Sequence, residues 1–374
     1  MKFENDKRTV MTLDAGGTNF VFSAIRGNKE IISPITLPSN AHDLGLCLNT
    51  ITDGFTKVKE QLAEEPVAIS FAFPGPADYP RGIIGDLGNL PAFRGGVALG
   101  PMLKEKFQCP VFINNDGDLY AYGEAIAGFL PYVNDLLAKA DSPKRYKNLV
   151  GFTLGTGFGA GIVRDGELFI GDNSGAAEVW LLRNKLHPEM NVEEGVSIRA
   201  VQRVYAELVG IPFTDAPSPK EIYEIGTGQI KGDKKAAVEA FRQMAEVLGD
   251  ALGNVLTLID GLAVIGGGVA GAASLILPPM IKEINSTYKN FAGDVYPRLA
   301  VKIFNLEEKN DLQLFLKGDS KEITIPGSDQ KIKYDPMARI GVGLSKIGTS
   351  KAIAIGAYAF ALHELDAHQA KASK

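Results

Sequence analysis

The sequence predicts an α/β protein built in two parts, with one strand–turn–strand pattern used twice. Three observations carry this. An apolar strand, a glycine turn, a second strand and a hairpin open the chain between residues 10 and 32, and the same succession returns between residues 148 and 170. The third observation is length. At about 100–200 residues per domain, 374 residues allow two or three domains and a sizeable core.

Residues 10–13 and 20–25 read as strands flanking the turn Asp14-Ala15-Gly16-Gly17-Thr18-Asn19, and Gly27-Asn28 reads as a hairpin into Glu30-Ile31-Ile32. Residues 44–62 keep helical spacing. Residues 67–73 form a short apolar strand stopped by Pro74-Gly75-Pro76. Residues 111–113 form another, which ends in Asn114-Asn115-Asp116 ahead of a helix over 119–127.

In the second half, residues 148–154 are a strand, Gly155-Thr156-Gly157-Phe158-Gly159-Ala160-Gly161 is the turn, and 161–164 run on as a strand. Asp165-Gly166 then signals a hairpin before Leu168-Phe169-Ile170. The repeat is one of motif and not of residue identity, which is what a duplicated domain leaves behind. Asp233 is placed to cap a helix reaching about Ile259, with Val238, Phe241, Ala245, Leu248, Leu252, Val255 and Ile259 on one face. Residues 262–265 are a buried strand, and Gly266-Gly267-Gly268 turns it into a helix. Residues 299–333 are charged and read as an added piece, with a β-hairpin through Glu322-Ile323-Thr324-Ile325, Pro326-Gly327 and Lys331-Ile332-Lys333-Tyr334. Residues 352–365 form an apolar final helix, and the polar tail from Asp366 is expected to fray.

Hydrophobic residues make up 45% and charged residues 22%, an ordinary globular balance. The net charge of -5 provides no basic field for nucleic acid. Two cysteines, Cys47 and Cys109, build no disulfide framework and suit a reduced compartment. The N-terminal residues are too polar for a secretory core, and no run approaches the roughly 20 apolar residues that span a bilayer. The expectation is a cytoplasmic protein without a membrane partner.

Phosphate binding needs close backbone approach and several N–H donors, which glycine permits. Thr18 and Thr156 add hydroxyls. Asp14, at a strand end, is suited to hold Mg²⁺ through water. One glycine turn alone is more often merely a turn. Three in this order, each after an expected strand, point to one nucleotide gripped between two lobes and to phosphoryl transfer. Transfer to an alcohol needs a carboxylate within reach of the attacking hydroxyl. Asp116 fits that role, with Asn115 beside it to orient the acceptor; the plainer reading is that Asp116 caps the helix.

Taken together these motifs resemble the ROK family of sugar kinases, within the larger sugar kinase–Hsp70–actin group. Asp14-Ala15-Gly16-Gly17-Thr18 is similar to that family's first phosphate motif, Asn115-Asp116 to its Asn-Asp pair, Gly155-Thr156-Gly157-Phe158-Gly159-Ala160-Gly161 to its second phosphate motif, and Gly266-Gly267-Gly268 to its adenosine loop. The resemblance covers most of the chain. It implies a two-lobed actin-like ATPase fold with a duplicated ribonuclease H-like core and an interlobe cleft. It implies Asp116 as catalytic base and a sugar bound by Asn89, Asn115, Glu178 and Glu193. Asn89 lies in Gly88-Asn89-Leu90-Pro91. Glu178 matches the glutamate of G-E-I-G-H, and Glu193 the glutamate of E-x-x-x-S-G-R-A. By themselves Asn89 would be a loop asparagine, and Glu178 and Glu193 solvated acids. The expected division is a sugar-binding lobe of residues 1–116 plus 352–374 and a nucleotide-binding lobe of 117–351, with a hairpin insertion at 299–336. Sugar, ATP and Mg²⁺ are the implied ligands, and a homodimer is compatible with the family.

Three departures stand out. The family's structural zinc is held by one histidine and three cysteines between the two glutamates. Here residues 179–192 contain no cysteine, the histidine position holds Leu181 and the glycine before it Trp180. Four-ligand zinc cannot be assembled locally. No zinc is therefore expected, His187 reads as a surface residue, and the loop is expected to be held by packing of Trp180, Leu181 and Leu182. Asn19 stands where many relatives carry lysine. The 323–334 hairpin is the third departure.

The leading expectation is an ATP-dependent kinase acting on the 6-hydroxyl of glucose or a related hexose, with an N-acetylated hexosamine as the other acceptor. A sugar-responsive transcription regulator of the same family would carry a helix-turn-helix ahead of Asp14, where there is no room for one. A silent sugar-binding module would not need Asp14, Asp116 and the glycine turns.

Overall fold

The computed structural model describes residues 3–88 and 90–372. Contacts group them into two compact units. One takes the chain up to Gly128, then Gly161–Ala177 and the segment from Ile347; the other takes Phe129–Ala160 and Glu178–Lys346. Residues 117–128, 161–177 and 347–351 thus join the first unit, a different division from the one expected above.

The first unit is built on a sheet in the order Lys29–Glu30, Asn19–Arg26, Val10–Ala15, Ala68–Ala72, Val111–Asn114, with Ile35–Pro38 also paired to Asn19–Arg26. The opening hairpin is antiparallel, with Asp14 opposite Val21, and the following strands are parallel. Side chains alternate between faces along a strand. Met11, Leu13, Phe20 and Phe22 therefore share one face with Phe55 of the helix Leu44–Glu60. The Phe20, Phe22, Phe55, Phe71, Phe73 and Phe93 rings follow one another mostly edge to face or tilted at 5.2–6.4 Å. Val10, Ile25 and Ala68 face the other way, onto Tyr358, Ala361 and Leu362 of the last helix.

That last helix, Thr349–Ala372, crosses the helix Asp116–Ile126 backbone to backbone. A Cβ on Gly123 would stand 1.9 Å from the Ala352 carbonyl oxygen, and one on Gly356 2.0 Å from that of Leu119. The helix does not end at the polar tail: it runs on past Asp366, whose Oδ1 accepts from Arg8 Nη1 at 2.6 Å.

The second unit repeats the opening theme with the strand Leu149–Leu154 and the start of Phe158–Arg164, which groups with the first unit from Gly161 on. Its sheet continues in parallel through Leu262–Gly266, Arg339–Leu344 and Lys302–Asn305. One expectation changes here. Residues 299–336 are not all an insertion, because Lys302–Asn305 is the sheet's edge strand and the helix Lys309–Lys317 follows it. Only the hairpin Lys321–Thr324 with Lys331–Tyr334 stands out, wholly exposed. Its root is fixed by the buried pair Arg339–Asp335 at 2.6 Å, with Arg339 Nε also donating to the Phe315 carbonyl at 2.7 Å.

The long helix Lys234–Ile259 starts as expected, with Asp233 accepting from the Ala236 amide at 2.9 Å. Its buried stripe runs through Ala237, Phe241, Met244 and Leu248, so Val238 falls to the edge and is 38% exposed. Among the described residues no helix is long and apolar enough to cross a membrane.

Candidate active site

In the first unit the sheet's strand ends bring two carboxylates to solvent. Asp14 closes the first strand and is exposed, yet burial by the surrounding protein raises its pKa above the ordinary carboxylate value. The turn after it is rigid. The Ser39 hydroxyl donates to the Gly17 carbonyl at 2.6 Å, and the Ser39 amide to the Thr18 carbonyl at 2.9 Å. A Cβ on Gly16 would meet the Asn19 carbonyl oxygen at 2.7 Å.

The strand Val111–Asn114 ends one residue before the helix that Asp116 begins. Asn115 is the cap: it is extended, and its Oδ1 accepts from the Gly117 amide at 2.8 Å. The capping reading given to Asp116 therefore belongs to Asn115. Asp116 occupies the first helical position, with its own Oδ1 2.8 Å from the same amide. Its pKa is raised, chiefly by desolvation and to a lesser degree by the Asp14 carboxylate, against the lowering pull of the Gly117 amide. The side chain keeps open surface, so what desolvates it is the density of protein around it and not loss of access.

Asn89 lies outside the described residues. Its neighbours are held by groups that sequence reasoning missed. Arg94 Nη1 donates to the Leu87 and Phe93 carbonyls at 2.6 and 2.7 Å, and Asp86 accepts from the Gly95 amide at 2.7 Å.

In the second unit the second glycine turn is tied to Glu193. Glu193 Oε2 accepts from the Phe158 amide at 3.1 Å and lies 2.6 Å from where a Gly157 Cβ would stand. Glu193 Oε1 pairs with Arg199 at 3.3 Å, and Arg199 also donates to the Thr156 carbonyl. Glu193 is thus built into the turn and is not a solvated acid. The Gly155 carbonyl accepts from the Ile198 amide at 2.9 Å, while the Thr156 side chain stays exposed. At the third loop Gly266 ends a buried strand and Gly267 adopts φ +89°, where a Cβ would stand 2.3 Å from the Leu154 carbonyl oxygen. Beside it is a cavity of about 340 Å³, lined by Lys220, Tyr223, Glu224, Gln229, Gly268 and Gly271. The helix Pro219–Thr227 supplies three of these six residues, and its Ser218–Glu221 capping box is a signal readable in the sequence.

Gly17, Gly155, Gly268 and Gly271 share one property. A Cβ on any of them would meet nothing within 4 Å, and none has a left-handed φ. The chain's own packing does not require glycine there. Glycine at these positions leaves the backbone open to close approach.

Glu178 is exposed, and its Oε2 accepts from the Trp180 indole N–H. Of the three side chains expected to pack the loop, Leu181 is 60% exposed, while Trp180 and Leu182 are half-buried. Asn184 holds the loop instead. It is fully buried, accepts from the Leu186 and His187 amides at 2.9 and 3.1 Å, and donates to the Asn191 carbonyl at 3.4 Å. The Val192 amide closes the loop onto the Leu182 carbonyl at 2.7 Å. His187 sits on the surface.

Residues 10–302 match the family model described as the ROK family. The chain belongs to that family. It is similar to a glucokinase from Parabacteroides distasonis, at 55% identity and TM-score 0.90 over 97% of this chain and 99% of that one. It is also similar to an N-acetyl-D-glucosamine kinase from Vibrio vulnificus, 27% identical over 288 residues, which are 72% of this chain and 87% of the relative. A ROK family glucokinase from Streptomyces griseus, solved with glucose and AMPPNP, shares the fold at TM-score 0.57 and 19% identity, covering 93% of this chain and 98% of that one. The fold is the two-lobed actin-like ATPase fold that the motifs implied.

Proposed function

We propose that this ROK protein is an ATP-dependent sugar kinase that phosphorylates a hexose hydroxyl. The observation that carries the reading is Asp116: an accessible carboxylate of raised pKa, spared from helix capping by Asn115. A carboxylate so tuned is a better proton acceptor than an ordinary one. Asp116 takes the acceptor hydroxyl's proton as that oxygen bonds to the γ-phosphorus of ATP. The bond from the γ-phosphorus to the bridging oxygen breaks, and ADP leaves with the electron pair.

The open glycines Gly17 and Gly155 let backbone amides approach the phosphates, with Thr18 and Thr156 as hydroxyl donors. Gly266, Gly267 and Gly268 present the cavity beside Tyr223 and Gln229, whose size and mixed lining suit the nucleoside of ATP. Asp14 fits Mg²⁺, a hard cation that takes one or two carboxylates and keeps several waters. Bound there, Mg²⁺ would neutralise charge on the transferring phosphate. Asn89, Asn115, Glu178 and Glu193 are the proposed sugar ligands, since amides and carboxylates match hydroxyls that both donate and accept.

The likeness to a glucokinase at 55% identity favours the 6-hydroxyl of glucose as acceptor. The likeness to N-acetyl-D-glucosamine kinases favours an N-acetylated hexosamine as the second reading. A coupled ADP-release assay over glucose, mannose, N-acetylglucosamine and N-acetylmannosamine, with ATP and Mg²⁺, tests both. Turnover of the unsubstituted hexoses is expected; turnover confined to the acetylated sugars would select the second reading, and none on any sugar would remove the kinase assignment.

A further inference from the structure

We infer that Trp180 is a positioning residue for the acceptor sugar, fixing the carboxylate of Glu178 through its indole N–H. The inference rests on the kinase reading, with Glu178 as a sugar ligand. Glu178 precedes the single helical turn Val179–Leu181, and its side chain does not cap that turn. Among the described residues no lysine or arginine pairs with it, in contrast to Glu193, which Arg199 holds. The side-chain partner of Glu178 is the Trp180 indole, which donates to Oε2.

An exposed glutamate is conformationally free, and ordering it on binding costs side-chain entropy. Trp180 removes that cost in advance. Its body is half-buried, the adjacent Val179 is buried, and the loop beyond is pinned by Asn184. The indole has two side-chain torsions and one donor, so it can hold a single carboxylate oxygen in one place. Oε1 then remains for sugar hydroxyls, and Oε2 keeps a lone pair as well. The arrangement pre-organises one sugar contact without touching the reacting atoms.

Trp180 is the chain's single tryptophan, so its fluorescence reports this contact alone. In the full-length protein, titration with the acceptor sugar in the absence of ATP is expected to change the emission. Trp180→Phe removes the N–H and keeps an aromatic ring. Its sugar KM is expected to rise about tenfold, as when a charged acceptor loses one donor, while kcat and the ATP KM stay near wild type. Combined with Glu178→Gln, the two substitutions are expected to be strongly non-additive in sugar KM, since they act as one unit. A residue that only stabilises the loop would instead lower the melting temperature and shift the two effects additively. Additive KM changes, or a Trp180→Phe enzyme with wild-type sugar KM, would overturn the inference. A sugar-dependent emission change in a protein that turns over no sugar would sink the kinase reading and keep Trp180 in its place. Turnover with silent emission and an unchanged Trp180→Phe KM would do the reverse.

Discussion

The two glycine turns follow one backbone plan and differ in what stiffens them. The first is braced from a neighbouring strand end, where Ser39 holds the Gly17 and Thr18 carbonyls, and it has a carboxylate, Asp14, at its entry. The second is entered through Thr153-Leu154 and is braced by a carboxylate from outside, Glu193, against Gly157 and Phe158. Duplication thus preserved the geometry of the turn and redistributed its acids. In the first turn the carboxylate is exposed; in the second it braces the turn while also being a proposed sugar ligand. Substitutions in the first unit should therefore separate chemistry from folding, and substitutions at Glu193 should not.

The largest effect is expected at Asp116. Asp116→Asn keeps the shape and removes the base, and kcat should fall by about 10²–10⁴-fold with little change in sugar KM. The base works deprotonated, so wild-type activity should rise with pH through an acid limb displaced above the ordinary carboxylate range, and the variant should lack that limb. The stability sign is opposite. A carboxyl whose folded pKa is raised binds its proton more tightly in the folded state, so it costs stability at pH values above its folded pKa and costs none below its unfolded pKa. Asp116→Asn should melt at or above wild type at pH 7 and match it in acid. A variant that loses activity together with its fold would contradict the separation of chemistry from folding in the first unit.

Glu193→Ala sharpens the other side of the comparison. It strips the Phe158 amide of its partner and leaves Arg199 only Glu194 and the Thr156 carbonyl, so kcat/KM should drop on the order of tenfold or more for sugar and for ATP alike. Glu178→Ala, whose carboxylate among the described residues meets Trp180, should affect sugar alone. Equal patterns for the two glutamates would erase the distinction between a sugar ligand that also braces a turn and one that does not.

Much of this was legible in the sequence because it rests on local rules. The paired turns, the Asp233 cap and the buried strand before Gly266 follow from periodicity and side-chain chemistry over a few residues. The roles of Asn115 and Asp116 were less so: both can cap a helix, and only the backbone decides which of two adjacent residues does. Pairing between distant segments was not legible. Lys302–Asn305 looked like part of an ornament because its parallel partner, Arg339–Leu344, comes more than thirty residues later by chain and announces no register. The 179–192 loop misled for a related reason. Losing zinc suggested a hydrophobic replacement, whereas one asparagine with both amide groups engaged supplies the cross-links.

That asparagine gives a smaller effect, on stability. Asn184→Ala leaves the Leu186 and His187 amides and the Asn191 carbonyl without their partner and should cost about 1–3 kcal/mol, read as a melting-temperature drop of a few degrees. A metal chelator should not reproduce the drop. A chelator-induced loss of stability in the wild type would mean that the loop is held by a metal after all.

The smallest change in stability is expected within the first turn itself, between two adjacent glycines. Gly16→Ala must push a methyl group to 2.7 Å from the Asn19 carbonyl oxygen, so the turn has to open, at a cost of about 1–3 kcal/mol. Gly17→Ala meets nothing within 4 Å and needs no left-handed backbone, so its stability should stay within about 0.5 kcal/mol of wild type. Its methyl group would nevertheless occupy the space through which a phosphate reaches the backbone amides, and the ATP KM should rise while the sugar KM holds. The same contrast is available in the second unit, where Gly155 is open and Gly157 is backed by Glu193. A Gly17→Ala protein that binds ATP as wild type does would show that the open side of this turn faces only water, and the phosphate role of the first motif would pass to Thr18 and the backbone beyond it.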